Sequence, residues 1–147
     1  MNKKNQPGDL SYFRLSLLSF LKESHPQLAQ DASFVESRSD DAARIFFEAI
    51  KSGSNQIEAM ELANETMYQG LHFSRYDVLF DILFEEFSSE VSEEEIKNYA
   101  LEMLPVCEEV FARYPISDDF EYEPEFETLK TELIGAIAIR LEKNGLQ

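Results

Sequence analysis

The run RYDVLFDILFEEF, residues 75–87, constrains the fold more than any other stretch of the chain. Read at 3.6 residues per turn, Tyr76, Val78, Leu79, Phe80, Ile82, Leu83, Phe84 and Phe87 cover most of a helix circumference. Only Asp77, Asp81 and Glu85, spaced four apart, leave a narrow polar stripe. Such a helix needs apolar partners on several sides, so it belongs in the middle of a bundle.

The remaining chain supplies those partners as further helical segments. Phe13, Leu17, Leu18 and Leu21 recur at helical spacing between about Leu10 and Glu23, and His25–Pro26 ends that segment because proline disfavours helix in the residue before it. Asp31 caps a second segment reaching Ser52, with Ile45, Phe46, Ala49 and Ile50 inward and Gly53 as the left-handed stop. Ser54 is expected to cap a third, with Ile57, Met60, Leu62, Ala63 and Met67 as its inner face and Gly70 closing it. Ser74 caps the fourth, the apolar run above, with Asp77 three residues on. Ser92 opens a fifth, where Glu93, Glu94 and Glu95 meet the positive end of the helix dipole; Pro105 should kink or break it near Leu104. Pro124 opens the last helix, whose apolar face runs through Phe126, Leu129, Leu133, Ile134, Ile137, Ala138 and Leu141 to Asn144–Gly145. The expectation is an all-α, compact single-domain bundle of about six helices spanning residues 1–147. Its fourth and last helices should be the most buried and residues 1–8 disordered. With no internal repeat and no linker, 147 residues suit one domain of ordinary size.

Charge narrows the function. The chain carries 29 acidic and 13 basic side chains, net −16. Residues 77–132 hold 18 of the acids and three of the bases, net −15, and everything else sums to −1. No basic surface is available for phosphates, which argues against direct DNA or RNA binding. No uncharged run approaches the roughly 18 residues a membrane span needs, and the N-terminal stretch lacks a signal-peptide cleavage pattern. A single cysteine forms no internal disulfide, so the reading is cytoplasmic.

Three stretches resemble a known family: LSYFRLSLLSFLKESHPQLA, ELANETMYQGLHFSRYDVLF and YPISDDFEYEPEFETLKTELIGAIAIRLEKNGL. It is a family of small all-helical bacterial proteins known only as a domain of unknown function, found chiefly in Bacteroidetes and often near conjugative-transposon genes. The resemblance covers nearly the whole chain. It implies a multi-helical fold and a mobile-element context, and no reaction, cofactor or catalytic residue.

The residues themselves point to no catalytic, cofactor or metal site. Cys107, with Met103, Leu104, Val106, Val110 and Phe111 around it, reads as a core residue rather than a nucleophile. His25, His72 and Cys107 are too scattered for structural zinc, and His72 reads as a junction residue that hydrogen-bonds a helix end. The Asp77, Asp81, Glu85 stripe lacks the Glu-x-x-His partner of di-metal bundles. The candidate interaction surface is this stripe together with the acidic–aromatic loop residues Asp118, Asp119, Phe120, Glu121, Tyr122 and Glu123. The loop aromatics either pin it to the bundle or meet a partner.

Three functions follow. The first is a non-catalytic interaction module for a basic protein or for a second copy. The second is a nucleic-acid mimic inhibiting a DNA-binding protein, and the third a carboxylate-based enzyme. A mimic requires several acidic stripes aligned on one surface, because duplex DNA carries a charge every ~1.7 Å.

Overall fold

The computed structural model describes residues 10–144; the expectation of disorder over 1–8 and the stop at Gly145 lie outside them. The chain is 77% helical with no strands among the described residues. It divides into two compact units, Met1–Leu71 and His72–Gln147. Where the sequence reading expects one core, the buried side chains collect into two, one in each unit. No Gly- or Pro-rich linker marks the boundary, which falls inside Gly70–Leu71–His72–Phe73. It does nearly coincide with the change in charge. The first unit carries ten acids and seven bases, net −3; the second carries 19 acids and six bases, net −13.

The first unit contains α1 (Leu10–Ser24), α2 (Pro26–Ala29), α3 (Ala32–Lys51) and α4 (Gln56–Met67). Phe13, Leu17 and Leu21 of α1 are fully buried, one per turn, against Val35, Ala42, Phe46, Ala59, Ala63 and Met67. The alanines at the inner positions of α3 and α4 fit two helices that pack along their length. Asp31 caps α3 as expected, accepting from Phe34 N–H at 3.1 Å. Gly53 and Gly70 end α3 and α4 in the left-handed region, φ +105° and +80°, where a side chain is strained.

Two expectations for α4 are corrected. Its cap is Asn55, not Ser54: Asn55 Oδ1 accepts from Glu58 N–H at 2.8 Å, and Glu58 Oε1 accepts from Asn55 N–H at 3.1 Å. This reciprocal box outranks a lone serine because it satisfies two otherwise orphaned donors. The buried face of α4 runs through Ala59, Ala63 and Met67, four residues apart, so Ile57 (72% exposed) and Leu62 lie outside the core the sequence reading gives them. Asn55→Ala should therefore cost about 1 kcal/mol in urea unfolding, and Ser54→Ala almost nothing. Equal losses would contradict the assignment.

The segment leaving α4 is held by side chains of its own unit. Arg38 lies over the Phe34 ring at 4.9 Å and donates to the carbonyls of Met67 and Gln69 at 3.0 and 2.8 Å. His25, 6% exposed, reaches the Leu71 carbonyl through Nε2 at 2.8 Å. A carbonyl only accepts, so Nε2 carries the proton. The imidazole that secures the segment after a helix is thus that of His25; the expectation has His72 as the junction residue bonding a helix end, and its side chain is exposed.

The second unit contains α5 (Arg75–Glu86), α6 (Ile96–Val106), α7 (Glu108–Ala112) and α8 (Glu125–Lys143). As the sequence predicts, Ser74 caps α5, its Oγ accepting from Asp77 N–H at 2.9 Å. Tyr76, Val78, Leu79, Ile82 and Leu83 are buried, while Phe84 is half-exposed. Leu129, Leu133, Ile137 and Leu141 of α8 supply a facing row at four-residue spacing. Ser92 opens a 3₁₀ turn over Glu93–Glu95 rather than the α-helix itself, which starts at Ile96. Pro105 does not stop α6 at Leu104. Its fixed φ is helical, so the helix continues to Val106 and the chain turns at Cys107, which separates α6 from α7.

An acidic cleft on the second unit

The polar stripe of α5 borders a cleft of about 480 Å³, set wholly within the second unit. Asp77, Asp81 and Glu85 lie on one side, rising about 6 Å per four residues. Val78, Ile82, Phe73 and Phe126 line it with apolar surface, and Glu121, Lys130, His72 and Ser74 complete it. Of the nine residues the sequence reading nominates, four carboxylates (Asp77, Asp81, Glu85 and Glu121) therefore line one site. Two separate elements supply them: α5 and the 3₁₀ turn Phe120–Tyr122.

The other five nominated residues do different work. Phe120 is 1% exposed, so it is corrected from surface to core. Its ring meets those of Phe73 (5.7 Å), Tyr114 (6.0 Å) and Phe126 (6.2 Å) edge-on. This aromatic cluster pins the acidic turn and sets Glu121 beside the cleft. Asp118 Oδ1 accepts from the His72 backbone N–H at 3.1 Å, tying the loop to the residues that precede α5. Asp119, Tyr122 and Glu123 are exposed and do not line the cleft, Tyr122 being 80% exposed.

Sequence reasoning names Phe126 among the loop aromatics and on the last helix, but misses its neighbour Lys130. Their i, i+4 spacing near the start of α8 was the available signal, since it puts both on one helix face. Lys130 Nζ lies 5.1 Å from the Phe126 ring centroid and 3.5 Å from Glu127 Oε2. An ammonium over an aromatic face is favourable, more so when partly desolvated. The cleft margin thus already accommodates one cationic side chain.

The electrostatics follow from this crowding. Partial burial pushes the Asp81 carboxyl above the usual range; Asp77, Glu85 and Glu121 push the same way, and Lys130 opposes them. The folded carboxyl therefore holds its proton more tightly than an unfolded one. Stability present in acid is lost as pH rises through the folded pKa. Asp81→Asn should accordingly raise the thermal midpoint at neutral pH, and the gain should vanish in acid, where Asp81 is protonated in both states. Asp81 stays solvent-accessible despite this partial burial, so added salt should shrink the gain. A lower midpoint for the variant at neutral pH would contradict the assignment.

Cys107 lies elsewhere, fully buried in the second core, and burial pushes its thiol up to about 11. That opposes thiolate formation and agrees with a packing role. Among the described residues, no group of three or more His, Cys, Asp or Glu side chains is placed to hold a metal ion. Among them also, no helix is long and apolar enough to cross a membrane.

Fold and site together define a wholly helical, strongly acidic protein with two separately packed cores and a carboxylate-lined cleft on the second. The chain belongs to the DUF1896 family, a domain of unknown function, whose sequence profile matches residues 5–146. It is similar to protein PG0816 from Porphyromonas gingivalis, seen in a crystal structure. The two are 39% identical, with a TM-score of 0.89 over 99% of each chain. No curated protein matches the sequence.

Proposed function

We propose that this protein is a non-catalytic interaction module whose second unit docks a basic segment of a partner protein in the cleft. The observation that supports this is the meeting of four carboxylates from two elements around an apolar lining, with Lys130 already lying over Phe126. Such a site offers a lysine or arginine both contact for its aliphatic stem and neutralisation for its head. A basic partner is favoured over self-association, because two copies at net −16 repel. The carboxylate-based enzyme is the less favoured alternative; the raised Asp81 carboxyl in the same cleft is the feature it would need. A cytoplasmic location suits a fold that needs no disulfide.

The mimic reading is less well supported, since the cleft acids flank apolar side chains instead of forming a continuous charged ridge. The mobile-element context remains part of the proposal. It makes basic, DNA-handling proteins of conjugative elements the first partners to screen.

The test is titration of a labelled oligolysine peptide across ionic strength. Screening lengths fall from ~10 Å at 0.1 M to ~3 Å at 1 M salt, so association should weaken steeply over that range. Absence of binding at low salt, or binding indifferent to salt, would overturn the proposal.

A further inference from the structure

We draw no further inference here: the strongest candidate, the open groove along α1 bordered by Tyr12, Leu15, Phe20 and Glu23, carries nothing because nothing in the structure shows what covers it.

Discussion

Phe120→Ala is expected to destabilise the second unit by about 3–5 kcal/mol, the usual cost of emptying a buried aromatic site. The side chain is fully enclosed, and three other aromatic rings surround it within 6.2 Å. Its removal leaves a cavity that those rings can close only by moving the 3₁₀ turn, which carries Glu121. Tyr122→Ala, two residues on, should stay within about 0.5 kcal/mol of the parent, as exposed positions do. Urea unfolding followed by circular dichroism measures both. A large loss at Tyr122 and none at Phe120 would mean that the turn is packed by the other ring and that the cleft is built differently.

Neutralising the cleft is the second large effect. The combined variant Asp77→Asn, Asp81→Asn, Glu85→Gln and Glu121→Gln removes four like charges that line one cavity. Each exposed ion pair contributes roughly 0.2–1 kcal/mol. Losing four, about 0.8–4 kcal/mol together, should weaken oligolysine binding at low salt by roughly fourfold to a thousandfold. Because the carboxylates repel one another, the same variant should melt at a higher temperature than the parent. The two readouts separate a site effect from unfolding. Weaker binding with a raised melting point supports the docking reading, and unchanged binding removes the cleft from it.

Local rules carried much of the fold. The capping side chains of Asp31 and Ser74, the left-handed stops at Gly53 and Gly70, and the burial of Leu129, Leu133 and Ile137 all follow from spacing and backbone preference. What failed was non-local. Ser54 and Asn55 are both good caps, and the choice between them depends on whether Glu58 can reach back. The helix propensity of the Pro105 region hid where the chain would turn, since proline tolerates its own helical φ. The boundary between the two cores carries no Gly- or Pro-rich linker, because the connecting residues are themselves packed: Leu71 and Phe73 are both buried.

The site was visible in halves. The α5 stripe and the acidic loop were each evident, but a one-dimensional pattern cannot show that Glu121 and Asp81 line the same cleft, or that Phe120 turns inward while Tyr122 turns out. Alternating aromatics and acids in the loop fit either facing. The deciding factor is the ring contact with Phe73, which is distant in sequence.

The most direct test follows backbone amide resonances by NMR while the oligolysine peptide is added at low salt. Localised docking predicts progressive shifts centred on Asp77, Asp81, Glu85, Glu121 and Lys130, all reversed when salt is raised. Shifts of similar size at acidic residues throughout both units would show that the peptide feels only net charge, and would contradict a built docking site.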